Sequence, residues 1–205
     1  SEMCIRDSLR RNYNIVPLEE IVKFAEGGKC LPRKSVAITL DDGYYDNYLN
    51  IYPYFKKYGL PMTIFVATGY VGKEMLLDNI PLGMLSWNEL AQMSRDNISV
   101  GAHTTSHRNL EEIDLEEAKN EILESKREIE KEIGDCVNYF AYPFGAHNEE
   151  IVDLLRLLGF KAAFGGEGLV QQGDNPYLLN RISVDASVNF FIFKARLTMA
   201  TEWYK

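Results

Sequence analysis

Six short apolar runs recur along this chain, and helix-forming sequence lies in every interval between them except the last. The runs fall at 35–40, 62–67, 98–102, 137–141, 161–164 and 181–184, and most are rich in β-branched or aromatic residues. Amphipathic stretches at 18–24, 46–58, 87–95, 114–133, 148–158 and 190–199 lie before, between and after them. Strand followed by helix through most of the chain specifies a parallel sheet joined by right-handed crossovers, an α/β fold. Each strand then delivers its following loop to the same end of the sheet, where such folds build their sites.

Two of those strand ends carry chemistry. Val36, Ala37, Ile38 and Leu40 read as a strand buried on both faces, which stops at Asp41, Asp42 and Gly43. Asp pairs at loop starts are commonly turn or capping residues. The run 98–102 leads into His103-Thr104-Thr105-Ser106-His107, in a chain with three histidines altogether. On one helical turn an i, i+4 spacing puts both imidazoles on one face, as two ligands of a single metal require. Taken alone, the pair also fits two solvated residues at a helix start. Carboxylates after one strand and paired histidines after another favour the metal reading, and their convergence on one ion favours a closed barrel over an open sheet. Neighbours on an extended strand point to opposite faces. Asp41 and Asp42 can share a site only if the chain leaves the strand there, and Gly43 makes such a turn feasible.

The remaining sequence sets bounds. At 205 residues, residues 9–205 read as one domain, and residues 1–8 (SEMCIRDS) read as non-native or disordered. A net charge of −8 argues against nucleic acid or an anionic membrane surface as partner. No run approaches the ~18 apolar residues of a membrane span. The start lacks a signal peptide's charged-then-apolar pattern, although the chain reads as beginning mid-sequence, which leaves room for an upstream segment. Cys4, Cys30 and Cys136 match no zinc spacing and no disulfide framework. Pro53 predicts a kink or a late start in the helix at 46–58. Ser86 and Glu89 form a capping-box pattern ahead of the helix at 87–95. In 114–133, Leu115, Ala118, Ile122, Ile129 and Ile133 share one face, and the Glu/Lys-rich remainder reads as a solvated surface. The stretches 68–86 and 165–179 read as irregular loops, the first a candidate substrate wall.

At this point the residues resemble a known family, the polysaccharide deacetylases of the NodB-homology type, carbohydrate esterase family 4. Thr39-Leu40-Asp41-Asp42-Gly43 is similar to its first motif, usually T-F-D-D-G. His103-Thr104-Thr105-Ser106-His107 is similar to its second, H-[ST]-x-x-H. Phe140-Ala141-Tyr142-Pro143-Phe144-Gly145 is similar to its third, written around R-x-P-[YF]. The resemblance implies a distorted (β/α) barrel with fewer than eight strands. It implies that Asp42, His103 and His107 hold one divalent metal, most often zinc, with cobalt or nickel as alternatives. Asp41 would be the general base toward the water that the metal activates, and the Phe144 N–H would help hold the oxyanion. Tyr44, Tyr142, Pro143 and Gly145 stand beside motif residues as candidate substrate contacts, whereas Trp87 reads as core.

Two departures stand out. The family's third motif carries an Arg that pairs with the catalytic Asp, and Ala141 occupies that position here. Arg181, opening the last strand, is the candidate substitute. The family also supplies a C-terminal His as general acid, but no histidine follows His147 in this sequence. The resemblance implies removal of N-acetyl groups from a polymer containing N-acetylglucosamine, whether exopolysaccharide, peptidoglycan or chitin-like, outside the cytoplasm or at the cell surface. An O-acetyl xylan esterase and a non-catalytic glycan-binding pseudoenzyme are the alternatives.

Overall fold

The computed structural model describes residues 10–28, 30–77, 80–184, 192, 193 and 196. Its centre is a six-stranded, all-parallel sheet. The strands are β3 (Thr39–Leu40), β4 (Met62–Val66), β7 (Ile98–Ala102), β8 (Tyr139–Ala141), β9 (Ala162–Glu167) and β10 (Leu179–Arg181), and they lie side by side in chain order. A short parallel pair, β1 (Asn14–Ile15) and β2 (Ser35–Val36), precedes them. This is the parallel α/β architecture expected of a distorted barrel with fewer than eight strands.

Alternation along β4 shows how the sheet divides the core. Ile64 and Val66 join the large cluster that also holds Leu90 and Met93 of α3 (Trp87–Arg95), Ile122 and Ile129 of α4 (Leu115–Ile133), and Leu155 of α5 (Glu149–Leu157). Phe65 turns the other way, into a second cluster with Ala141, Ala162, Phe164 and Leu179. Helix α1 (Leu18–Ala25) presses Leu18, Val22 and Ala25 onto that inner cluster. One face of the curled sheet is thus covered by the crossover helices, and the other is plugged by α1.

The two outermost strands of the sheet are β3 and β10. At about 4.8 Å per strand, a flat sheet would hold them roughly 24 Å apart. Yet Arg181 of β10 bonds Thr39 Oγ1 of β3 at 3.3 Å and the Asp41 carboxylate just beyond it at 2.7 and 2.8 Å. The sheet is therefore curled until its edges meet through one side chain.

Several elements differ from expectation. The strand at 35–40 is broken into β2 and β3 and is only half-buried, because β3 is an edge of the sheet. The helix at 46–58 opens as a π-helical turn, Asn47–Ile51, and becomes α2 (Tyr52–Tyr58) with Pro53 in its first turn, so the irregularity falls where proline predicts it. The stretch 68–86 holds a 3-10 turn, Thr68–Tyr70, and an antiparallel hairpin of β5 (Glu74–Leu77) and β6 (Ile80–Gly83). Its glycines and Pro81 obscured two strands of only four residues each, but an edge hairpin tolerates proline. Leu85 N donates to Gly43 O at 2.8 Å, which ties the base of this hairpin to the Asp-Asp-Gly turn. Part of the stretch 165–179 continues β9 to Glu167. Of the helix expected at 190–199, residues 192, 193 and 196 are helical and the rest lie outside the described residues, as do residues 1–8. Cys30 and Cys136 are exposed free thiols, and Cys4 lies outside the described residues.

Candidate metal centre

Asp42 reaches the site through backbone geometry that L-residues rarely adopt. β3 ends at Leu40, then Asp42 takes φ +68 and Gly43 takes φ +85. Gly43 N donates to Asp41 O at 2.8 Å, which closes the turn. A Cβ on Gly43 would sit 3.0 Å from Val66 Cγ1, so packing and backbone both favour glycine there. This reversal lets two adjacent carboxylates face one site.

His103 follows β7 directly and is 2% exposed. Its Nδ1 lies 2.7 Å from Ala141 O. A carbonyl can only accept, so Nδ1 carries the proton and Nε2 is left with a lone pair. Nε2 stands 3.4 Å from Asp42 Oδ1.

His107 comes from a loop. The sequence expectation of a helical turn fails here: Thr104 takes φ +63 and His107 takes φ +55, so left-handed residues fold the chain back on itself. The result is nevertheless convergent, with His107 Nε2 at 3.1 Å from the same Asp42 Oδ1. The two imidazole centroids are 4.8 Å apart. Two clamps hold this loop. On one side, Thr68 N and Gly69 N donate to Thr104 O and Thr105 O at 3.2 and 2.8 Å. On the other side, Glu121 of α4 accepts from Thr105 N, Ser106 N and Ser106 Oγ at 2.9, 2.8 and 2.6 Å.

The three candidate ligand atoms lie within 4.8 Å of one another. Bonds of about 2.1 Å to a tetrahedral ion put ligand atoms roughly 3.4 Å apart, close to the 3.1 and 3.4 Å found from Asp42 to the imidazoles. With neutral imidazoles that turn lone pairs toward it, Asp42 Oδ1 is buried and has no hydrogen-bond donor among the described residues. Such an atom is costly unless a cation or proton meets it. The residues therefore fit a divalent ion. With the imidazoles protonated instead, the contacts become ion pairs. Burial works to raise the Asp42 carboxyl, but hydrogen bonding and charge from His103 and His107 outweigh it and hold the carboxyl well below its usual range.

Asp41 faces a different partner. Arg181 Nη1 and Nη2 donate to Asp41 Oδ1 and Oδ2 at 2.7 and 2.8 Å, a two-point pair, and the guanidinium lies 5.7 Å from the Phe65 ring centroid. The adjacent carboxylates are thus divided, one against imidazoles and one against arginine.

The third motif region places its residues unequally. Phe144 has φ +59, is 73% exposed, and packs its ring edge-on against His107 at 4.8 Å. It lines a cleft of about 530 Å³ with Arg108, Asn109 and Glu112. Gly145 has φ +70, and a Cβ there would fall 2.4 Å from Gly165 O. Tyr142 departs from expectation. It is 1% exposed, its hydroxyl donates to Tyr177 O at 3.0 Å, and burial pushes its ionisation upward, so its ring is core and cannot stack on a sugar. Pro143 is buried as well and offers no surface for substrate. Tyr44 is half-buried. Burial first, then the negative charge of Asp42 beside it, raise the Tyr44 hydroxyl above its usual range. Trp87 is packed partly buried on the main cluster. His147 lies with Nδ1 2.8 Å from Gly145 O and its ring stacked on Tyr142.

Glu121 was not legible as a site residue, because α4 reads as a charged outer face. Its position did hold a signal. Residue 121 stands three after Ala118 and four before Ser125, both buried, so it borders the inward stripe.

The chain is similar to known proteins. The family model described as Polysaccharide deacetylase matches residues 28–163. A poly-beta-1,6-N-acetyl-D-glucosamine N-deacetylase of Staphylococcus aureus (strain MRSA252) is 30% identical over 177 residues, 82% of this chain and 60% of that protein. A Bacillus subtilis relative is 29% identical over 163 residues, 79% of this chain and 56% of that protein. The chain thus spans less than two thirds of these curated relatives. Among solved structures, IcaB from Ammonifex degensii superposes with a TM-score of 0.79 at 26% identity, covering 96% of this chain and 88% of that one. The Streptococcus pyogenes deacetylase PplD superposes with a TM-score of 0.80 at 24% identity, covering 94% and 83%, which speaks to the fold.

Proposed function

The chain belongs to the polysaccharide deacetylase family, and from that premise we propose that it is a metal-dependent hydrolase removing N-acetyl groups from a polymer containing N-acetylglucosamine. The observation that carries this reading is the division of labour between adjacent carboxylates: Asp42 against His103 and His107, Asp41 against Arg181.

In this reading Asp42, His103 and His107 hold one divalent ion, with zinc the natural choice for two imidazoles and one carboxylate. Bound there, the ion makes water acidic enough to attack near neutral pH and polarises the acetyl carbonyl. The chain's own residues do the rest. Ala141 O fixes the His103 tautomer, so that Nε2 offers its lone pair inward. Asp41 accepts a proton from the attacking water as the new C–O bond forms. Each of its oxygens takes one bond from Arg181 and keeps a second lone pair for this. Arg181 holds the carboxylate in place before the reaction. The Phe144 N–H donates to the carbonyl oxygen as negative charge develops there. The C–N bond then breaks as the proton returns to the departing nitrogen, giving acetic acid and a free amine, which leave as acetate and ammonium once the acid's proton passes to the amine. The exposed Phe144 ring and the cleft beside it form a wall for the glycan.

The staphylococcal relative's named substrate supports an exopolysaccharide of N-acetylglucosamine over other polymers. Work on such a polymer implies action outside the cytoplasm or at the cell surface. No helix among the described residues is long and apolar enough to cross a membrane. The test is acetate release from N-acetylglucosamine oligomers by the zinc-loaded protein. Release that a chelator abolishes and zinc restores is the expected result. Release from acetylxylan alone points to an esterase, and release from neither, with zinc bound, points to a glycan-binding pseudoenzyme.

A further inference from the structure

Resting on the metal-site reading above, we propose that Glu121 is a positioning residue that sets the affinity of the site by fixing the loop that carries His107. The two histidines are anchored very differently. His103 sits at the end of a central strand, and its ring is pinned by Ala141 O. His107 ends a loop that turns through two left-handed non-glycine residues, Thr104 and His107. Each such residue holds a backbone conformation that side chains with a Cβ disfavour. A loop of that kind keeps its shape only if its surroundings hold it there.

Glu121 supplies one of the two holds on this loop, from a helix that contributes no ligand; the other, from Thr68 N and Gly69 N to Thr104 O and Thr105 O, reaches the start of the loop and not Ser106 beside His107. One oxygen, Oε2, accepts both Thr105 N and Ser106 N, at 2.9 and 2.8 Å. The other, Oε1, accepts Ser106 Oγ at 2.6 Å. The Thr105 hydroxyl adds a bond to the Glu121 main-chain carbonyl at 3.2 Å. These are charge-assisted contacts to the two residues lying between the strained pair. Glu121 is half-buried beside the inward stripe of α4, so the geometry is imposed by a rigid helix and not by a mobile side chain on the surface. The His107 N–H, donating to Thr104 Oγ1 at 3.0 Å, completes the turn but lies within the loop and cannot orient it against the barrel. Removing the carboxylate leaves His103, Asp42 and the Thr68–Gly69 clamp in place and loosens the end of the loop that presents His107 to the Asp42 oxygen.

The experiment measures zinc affinity by competition with a chromophoric chelator, for the wild type, Glu121→Ala, Glu121→Gln and the exposed control Glu124→Gln. Loss of a group that orients a ligand weakens metal binding by about 10–100-fold, and that loss is expected for Glu121→Ala. Glu121→Gln can still accept both main-chain N–H groups and should fall between Ala and wild type, and Glu124→Gln should match wild type. The melting temperature of each metal-free protein separates a loosened loop from a loosened fold. The expected result is an affinity loss in Glu121→Gln with a metal-free melting temperature equal to that of Glu124→Gln. Equal zinc affinity in the wild type and Glu121→Gln, with Glu121→Ala either equal or unfolded, overturns the role of Glu121 and leaves the metal site standing. A wild-type chain that takes up no zinc overturns the metal-site reading and this inference with it.

Discussion

Replacing Arg181 by alanine probes the site and the closure of the sheet together. The side chain makes two bonds to Asp41 at 2.7 and 2.8 Å and a third to Thr39 at 3.3 Å. The side chains of Arg181 and Asp41 are 22% and 34% exposed, so water screens part of the pair and resolvates Asp41 when the guanidinium is gone. Exposed ion pairs contribute up to about 1 kcal/mol, and hydrogen bonds to charged groups about 1.5–3 kcal/mol. A half-exposed two-point pair belongs between these, at roughly 1–2 kcal/mol. For a domain of this size that lowers the melting temperature by about 2–8 °C. The effect on turnover is larger, because a base displaced by an ångström can lose about 10²-fold in rate. The assay is kcat/KM for acetate release from N-acetylglucosamine oligomers, paired with zinc affinity. The expected result is a fall of about 10²-fold with zinc affinity unchanged. Arg181→Lys should recover only part of it, because an ammonium keeps the charge and loses the planar fork. Turnover within threefold of wild type, or loss of zinc, would refute the reasoning.

Further outcomes follow from the same geometry. Asp41→Asn should lower the rate by about 10²–10⁴, as loss of a general base does, with zinc retained. Parallel loss of zinc would mean that the two carboxylate roles are reversed. The folded Asp42 carboxyl is held below its usual range, so the unfolded chain binds that proton first as pH falls. Its stabilising contribution is complete above the ordinary carboxylate pKa of about 4 and is lost as pH drops below it. Urea unfolding of the metal-free protein between pH 6 and pH 3, ~3 pH units bracketing that value, should therefore show a steeper acid loss for wild type than for Asp42→Asn, and identical slopes would contradict this. Tyr142→Phe removes the bond to Tyr177 O and should lower stability by about 1 kcal/mol while leaving kcat/KM unchanged. A rise in KM would return Tyr142 to the substrate groove.

The alternation of strands and helices made the parallel sheet legible, because each buried run is bounded by turns and each helix has a cap or a glycine stop. Ser86 with Glu89 at the start of α3 and Gly134 after α4 behave as local rules require. The strand at 35–40 was legible, but its break into two half-buried pairs was not. β5 and β6 were missed because strands of four residues, one of them holding Pro81, carry no periodicity that marks a central strand. In the site, Asp42, His103 and His107 were brought together as their spacing suggested, but by left-handed residues and not by a helical turn. That is a property of the clamped loop, and spacing cannot report it. Arg181 was named from a gap in a motif, and its meeting with Asp41 depends on sheet curvature that no local pattern encodes. Tyr142 shows the opposite failure. A residue beside motif positions was read as a groove residue, yet its neighbours Phe140 and Tyr177 enclose it. Glu121 was hidden because a charged helix face reads as solvated unless its angle to the buried stripe is followed residue by residue.

The claim that two adjacent carboxylates serve different partners is tested most directly by a crystal structure of the zinc-loaded protein, with the ion located from its anomalous scattering. The account predicts one ion within about 2.0–2.2 Å of a carboxylate oxygen of Asp42 and the Nε2 atoms of His103 and His107, with Asp41 outside the ligand set and still paired with Arg181. An ion bound by Asp41 in place of Asp42, or zinc found only away from the two imidazoles, would contradict it.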